Sequence, residues 1–175
     1  MASSVPGELD LVDLSDVARS CAESLGDRSR CIGLDCELAE DLPLVLADPY
    51  VLGELAQRLA RRAAEVIAAD WGAVTLATGL LGMERSTLAR DSSWSAFPAC
   101  SHAYLEVHTT GPAVGPLDCE LASNPFGARG FGPLDLPKAL GLLRELDGEI
   151  VIDRLATAGT SVVLLLPFAG TDLPC

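Results

Sequence analysis

Apolar residues recur along this chain at two different spacings, which separate predicted helices from predicted strands. Within residues 15–26, Val17, Cys21 and Leu25 recur every four positions, and Gly26 closes the segment. This pattern predicts a short amphipathic helix, because residues four apart lie on the same helical face.

The main predicted helix covers about residues 49–68. Its apolar side chains recur at spacings of three and four and form one stripe: Leu52, Leu55, Leu59, Ala63 and Val66. Asp48 precedes the helix as an N-cap, and Pro49 takes the first helical position. Much of the remaining helix surface is charged, so we expect one face to pack on a core and the other to meet solvent.

The other apolar segments are short and bounded by turns, which favours strands. Strands are predicted at about residues 30–38, 72–79, 103–109, 149–154 and 161–166. We expect a turn-rich connection at 40–50 and an irregular loop at 111–133, which is rich in Gly and Pro. A helix at about 135–146 leads through Asp147-Gly148 to the last two strands, which pair antiparallel. This order predicts an α/β (α+β) two-layer sandwich with helices on one face of a mixed sheet.

Length and charge narrow the possible classes of protein. A chain of 175 residues suits one domain over 1–175, divided into a linker with the first helix (1–28), a core (29–168) and a tail (169–175). The formal net charge of -13 argues against nucleic-acid binding, because phosphate contacts need clustered Lys and Arg. No apolar stretch reaches the ~20 residues of a membrane helix. The amino terminus also lacks the pattern of a signal peptide, so we expect a cytoplasmic protein without membrane insertion.

Cysteine and histidine residues give no sign of a metal site. The six cysteines include no CxxC pair, and Cys31 and Cys36, five apart in a predicted strand, lie on opposite faces. We therefore expect buried, reduced thiols. His102 and His108 lie at or near a predicted strand without a third ligand at suitable spacing, so we interpret both as ordinary polar residues.

The order of these segments resembles the ATP-binding domain of sensor histidine kinases. "ELDLVDLSDVARSCAESL" is similar to its linker and first helix, and "CELAEDLPLVLADPYVLGELAQRLARRAAEVI" to a strand and the helix called the N box. "AYLEVHTTGPAV" and "GARGFGPL" stand where the family has its two glycine boxes. The resemblance implies the Bergerat fold, with a largely antiparallel mixed sheet and about three helices on one face. It starts after the dimerisation hairpin, which carries the family's phosphoacceptor histidine.

The N box departs from the family at the position of its magnesium ligand. The family has two Asn residues four apart, of which the second coordinates magnesium, and Arg58 and Arg62 stand in their places. Arginine cannot coordinate Mg²⁺, which takes oxygen ligands. Either the arginines bind an anion directly, or they form solvated ion pairs, Glu54–Arg58 and Arg61–Glu65.

The adenine-binding box has also changed. The resemblance places Thr109 where the family's Asp accepts a hydrogen bond from adenine, followed by Gly111 and then Ala113 instead of a second glycine. A neutral hydroxyl is a weaker acceptor than a carboxylate. Gly159 and Thr160 match the family's Gly-Thr before the last strand.

The second glycine box keeps Gly130 and Gly132, but Ala128 replaces its first glycine and Pro133 follows directly. Pro133 supplies no N–H for a phosphate, and we expect the next helix to begin near Asp135 or Pro137, set back from the glycines. The lid between the two boxes is also short.

These changes favour a degenerate domain that acts as a non-catalytic interaction module in two-component signalling. We expect no ATP or Mg²⁺ cofactor, no catalytic residue, and a protein partner such as a histidine kinase hairpin or a response regulator. One alternative is an ATP-binding domain that phosphorylates a histidine supplied in trans. Another is a magnesium-independent binder of an anion or nucleotide through Arg58 and Arg62.

Overall fold

The computed structural model describes the chain over residues 8–26, 33–67, 72–81, 102–110, 141, 143–155 and 159–169. The helices and strands within these ranges are β1 Asp10–Val12, α1 Leu14–Gly26, β2 Gly33–Glu37, β3 Val45–Ala47, α2 Pro49–Ile67, β4 Ala73–Leu80, β5 His102–Thr110, β6 Glu149–Leu155 and β7 Gly159–Pro167. Residues 141 and 143–145 belong to a further helix, which matches the end of the helix predicted at 135–146.

The main sheet has five strands in the order β2-β4-β5-β7-β6. β2 runs parallel to β4, and the other neighbouring pairs are antiparallel. The predicted mixed, largely antiparallel sheet is therefore confirmed, as is the antiparallel pairing of the last two strands.

Both α1 and α2 pack on one face of this sheet. Alternate residues of the central strands point toward the helices, and Leu76, Leu105 and Leu164 are fully buried there. They join Leu14 of α1 and Leu55 of α2 in one apolar cluster. The two-layer architecture thus follows from strands with one face buried against two amphipathic helices.

α2 begins as the sequence predicts. The Asp48 carboxylate accepts hydrogen bonds from the backbone N–H groups of Tyr50 (2.9 Å) and Val51 (3.2 Å). Pro49 at the first helical position has no N–H to leave unpaired. Within the apolar stripe, the buried residues are Leu52, Leu55, Leu59 and Ala63, while the side chain of Val66 lies outside the description.

α1 is anchored by a hydrogen-bond network that the apolar pattern does not reveal. Ser15, which is buried, shares a 2.8 Å hydrogen bond with the Thr78 hydroxyl of β4 and donates to the Ala39 carbonyl at 3.0 Å. The Ala39 N–H in turn donates to Thr78 at 3.0 Å. Three separate chain segments therefore meet at one satisfied polar cluster.

The structure also contains a two-stranded ribbon that the sequence analysis did not predict. β1 lies in the segment expected as a linker, and β3 lies in the segment expected as a turn-rich connection. The two strands pair antiparallel, with Leu11 opposite Leu46 and Val12 opposite Val45. Three residues are too few for an alternating pattern to stand out, which explains why the expectation at 40–50 was wrong.

The sheet face opposite α1 and α2 carries an unexpected row of polar residues. Thr75, His108 and Ser161 are cross-strand partners on β4, β5 and β7, and all three are buried. Ser161 donates a 2.5 Å hydrogen bond to the carboxylate of Glu106, which is 1% exposed. Neither ring nitrogen of His108 has a hydrogen-bond partner among the described residues. His108 is thus in a strand as predicted, and the fold buries it.

The two described cysteines are free thiols, as the sequence predicts, but only one of them is buried. Cys21 and Cys36 are both free, as expected, whereas only Cys21 is buried and Cys36 is exposed on β2. Burial raises the pKa of the Cys21 thiol to about 11, so this group stays protonated at neutral pH. Cys31 lies outside the described residues, so its orientation relative to Cys36 stays a prediction.

The Asp147-Gly148 turn ends the further helix with a left-handed residue. Asp147 has a φ of 55°, its N–H bonds the Arg144 carbonyl (3.1 Å), and the Gly148 N–H bonds the Leu143 carbonyl (2.8 Å). This pair of bonds is the Schellman arrangement that commonly ends helices. It turns the chain directly into β6.

Candidate functional site

The structure describes part of the site that the resemblance implies. Arg58 lies in the middle of α2, and Thr109 and Thr160 are cross-strand partners on β5 and β7. Three further predicted positions, Gly111, Gly130 and Gly132, lie outside the described residues. α2, which carries Arg58, packs on β4 and on β5, the strand that carries Thr109.

Arg58 is held by an acidic neighbour one helical turn away. Its Nη2 and Nε atoms lie 3.2 Å and 3.4 Å from the same Oε2 atom of Glu54. The Arg58 side chain is 18% exposed and that of Glu54 32%, so the pair is partly withdrawn from solvent. The predicted Glu54–Arg58 ion pair is therefore present, and the guanidinium charge is matched by a carboxylate.

The other arginines of α2 are less well defined by their contacts. The Arg61 guanidinium lies 3.5 Å from the Gln57 side-chain oxygen on an exposed part of the helix. The side chain of its predicted partner, Glu65, lies outside the description, as does that of Arg62. The predicted Arg61–Glu65 pair and the role of Arg62 stay predictions.

A glycine determines how closely β7 approaches the end of β5. Gly159 has a φ of 112°, and a β-carbon at this position would lie 1.6 Å from the carbonyl oxygen of Thr109. Only glycine avoids both the backbone strain and that overlap. The Gly-Thr pair recognised in the sequence thus has a local structural reason, which is to bring Thr160 beside Thr109.

Two described positions of the predicted nucleotide site carry a cation and a neutral hydroxyl. Arg58 contributes positive charge and N–H donors but no oxygen for Mg²⁺. Thr109, at the end of β5, contributes a neutral hydroxyl where the resemblance places an acid. Within the described residues, no group of three or more His, Cys, Asp or Glu side chains is arranged to hold a metal ion.

The same part of the chain also lacks a helix long and apolar enough to cross a membrane.

Two α-helices on one face of a five-stranded mixed sheet form a two-layer domain. Comparison with solved structures shows which known fold this arrangement matches. Full-length ShkA in complex with AMPPNP is similar over 99% of this chain and 34% of its own, with 22% identity and a TM-score of 0.65. The mycobacterial sensor histidine kinase MprB matches 94% of this chain and 100% of its own, with 18% identity and a TM-score of 0.60.

The catalytic domain of histidine kinase ThkA is a further match, over 92% of this chain and 96% of its own, with 16% identity and a TM-score of 0.62. ThkA has also been solved in complex with the response regulator protein TrrA. The chain therefore has the Bergerat-type fold of histidine kinase catalytic domains, as the motif order predicted, and spans about a third of the length of ShkA. Comparisons with family profiles and with curated proteins find no match.

Proposed function

We propose that this chain is a degenerate histidine-kinase-like domain that acts in two-component signalling as a non-catalytic interaction module. The observation that carries the proposal is the Glu54–Arg58 pair, in which a paired arginine occupies the first of the two N-box positions. A paired arginine neither coordinates magnesium nor offers an uncompensated charge to a triphosphate. The fold is kept while this part of the nucleotide chemistry is replaced.

The partner in this proposal is a protein of the same signalling system, either a histidine kinase hairpin or a response regulator. The complex of ThkA with TrrA supports this class of partner, because it shows a kinase of this fold assembled with a response regulator. The net charge of -13 further favours a partner with a basic surface.

Thermal unfolding with and without nucleotide tests the loss of ATP binding. A ligand present at 100 times its Kd stabilises the folded state by about 2.7 kcal/mol. For a domain of this size that raises Tm by roughly 5 to 10 °C. We expect ATP to leave Tm unchanged in the presence and absence of Mg²⁺. Calorimetry that finds Mg-ATP bound at micromolar affinity would contradict the proposal and favour phosphorylation of a histidine in trans.

Two variants separate this outcome from magnesium-independent anion binding. Glu54→Gln removes the carboxylate that holds Arg58, and Arg58→Ala removes the guanidinium while leaving Glu54 in place. An anion site would appear as stabilisation by ATP or pyrophosphate without Mg²⁺, stronger in Glu54→Gln and absent in Arg58→Ala. We expect no anion-dependent shift in the wild-type protein.

A further inference from the structure

The β1–β3 ribbon and the residues next to it carry four exposed leucines. Leu9, Leu11, Leu44 and Leu46 are 50%, 54%, 42% and 43% exposed. We call this group the leucine surface. Single exposed leucines are ordinary, but a contiguous group of them is a feature of binding sites.

Strand geometry places the four leucines together. Leu11 and Leu46 are direct cross-strand partners. Leu9 directly precedes β1 and Leu44 directly precedes β3, so each lies two positions from one of these partners. Because side chains of an extended chain alternate between faces, residues two apart share a face. The opposite face of the ribbon is buried, with Val12, Val45 and Ala47 in the main core. The leucines therefore point outward for geometric reasons and cannot turn in without exposing that core face.

The ribbon is a fixed platform and not an isolated hairpin. Val45 forms a bridge with Phe168 just after β7, and the Ala169 N–H donates to the Leu44 carbonyl at 2.8 Å. Val45 itself is fully buried. A partner that covers the leucines would therefore meet a preformed surface and pay little for ordering it.

The dimensions suit a helix better than an added strand. Two strands about 5 Å apart, with leucines roughly 7 Å apart along each, form a patch that an α-helix about 10 Å wide covers. Addition of a strand at the edge would instead pair with β1, which has three residues and offers few backbone hydrogen bonds. The side chains, and not the strand edge, are the larger attraction.

The surroundings of the leucine surface are acidic. Residues 8–18 and 33–57, which carry all four leucines, contain no Lys or Arg. In both of these segments, exposed acidic residues lie within four positions of a leucine along the chain: Glu8, Asp10, Glu40 and Asp41. An occupant with basic residues beside an apolar stripe is thus favoured, whereas a second copy of this chain would bring the same negative charge.

We propose that the leucine surface binds a helix of a partner protein in which Lys and Arg flank an apolar stripe. This deepens the proposed function, on which it rests for the idea that the domain serves to hold a protein partner. The apolar stripe covers the four leucines, and the flanking cations lie over the acidic rim.

A designed peptide pair tests this directly on the full chain. Both labelled peptides have about 18 residues with leucines at helical spacing, one flanked by Lys and the other by Glu. In fluorescence anisotropy, we expect the Lys peptide to bind, more weakly as salt is raised, and the Glu peptide not to bind. Equal binding of the two peptides, or none, overturns the proposal.

The double substitution Leu11→Thr/Leu46→Thr should weaken binding of the Lys peptide roughly ten- to a hundred-fold, because it removes two buried leucine contacts. Threonine has a high strand propensity, and both sites are exposed. The circular dichroism spectrum of the variant should therefore match that of the wild type. If this variant loses its fold, Leu9→Thr/Leu44→Thr replaces it. Cys36→Thr is the matched control, an exposed uncharged strand residue of the other sheet, and should bind as the wild type does. Unchanged binding by the leucine variants contradicts the proposal.

Two further measurements distinguish the possible failures. Sedimentation velocity shows whether the wild-type chain self-associates. A dimer that Leu11→Thr/Leu46→Thr dissociates would assign the surface to a second copy and overturn the proposed partner. Nucleotide binding by the same samples addresses the proposed function separately, since Mg-ATP binding would contradict that function while the peptide result stood.

Discussion

At the scale of single residues, the buried His108 is the most consequential feature of the sheet face away from the helices. It lies between Thr75 and Ser161 in a cross-strand row, and Glu106 is two positions earlier on the same strand and face. Burial lowers the pKa of His108 below its ordinary value of 6.5, because a charged ring would lose hydration there. The neutral imidazole is therefore the form that suits the folded state.

This depressed pKa predicts an acid-sensitive stability. Below about pH 6.5 the unfolded chain takes up a proton that the folded chain resists, so the free energy of unfolding falls as the pH falls. Each unit of difference between the two pKa values corresponds to about 1.4 kcal/mol. Urea unfolding at pH 7.5 and at pH 5.0 measures how much the free energy of unfolding falls between the two. This fall should be smaller in His108→Leu than in the wild type. His102→Gln, at the partly exposed second histidine, should keep the wild-type loss, and equal losses in wild type and His108→Leu would contradict the role of this ring.

The sequence predicted residues well where chemistry follows from neighbours along the chain. The Glu54–Arg58 pair is an example, since positions four apart meet on any helix. The burial of His108 and the contact of Ser161 with Glu106 join residues up to 55 positions apart, and no local pattern encodes which strands become neighbours. Gly159 lies between these cases, because its motif was recognisable while the overlap with Thr109 that requires it appears only in the fold.

At the scale of elements, α2 depends on the cap supplied by Asp48. This carboxylate is 6% exposed and satisfies two backbone N–H groups at the start of the helix. Asp48→Ala leaves those donors without their partner and should cost about 1 kcal/mol of stability. That corresponds to roughly 2 to 4 °C in Tm. Asp48→Asn keeps an accepting oxygen and should stay within a few tenths of a kcal/mol of the wild type, and an equal loss in both variants would show that the cap is not the cause.

The ribbon shows why short elements escape sequence reading. β1 has only three residues, Asp10–Val12, and α1 already begins at Leu14, so no alternating pattern of useful length develops. α2, by contrast, repeats its apolar stripe over 19 residues and was predicted to within one residue of its end. Elements are predictable in proportion to the number of periods they contain. The leucine surface could not be predicted for the same reason. Which leucines are exposed depends on which face of the ribbon is buried, and the ribbon itself was not predicted.

At the scale of the whole molecule, the helices and the sheet share one core. The main apolar cluster joins α1, α2, the ribbon and the central strands, including Leu105 of β5 and Leu14 of α1. Elements that bury the same side chains lose their support together, so this domain should unfold as one cooperative unit. We therefore expect a cavity in the middle of the sheet to destabilise the helices as much as the strands.

Leu105→Ala tests that coupling. Leu105 is fully buried on the central strand, so truncation should lower the free energy of unfolding by about 2 to 5 kcal/mol. Leu46→Ala, on the exposed face of the ribbon, should change it by less than about 0.5 kcal/mol. Urea unfolding of each variant is followed by the helical signal in far-UV circular dichroism and by the NMR signals of the β5 amides. Within each variant, we expect the two signals to be lost at the same urea midpoint. If α1 and α2 keep their signal beyond the transition of β5, the helices have a core of their own and the single-unit description is wrong.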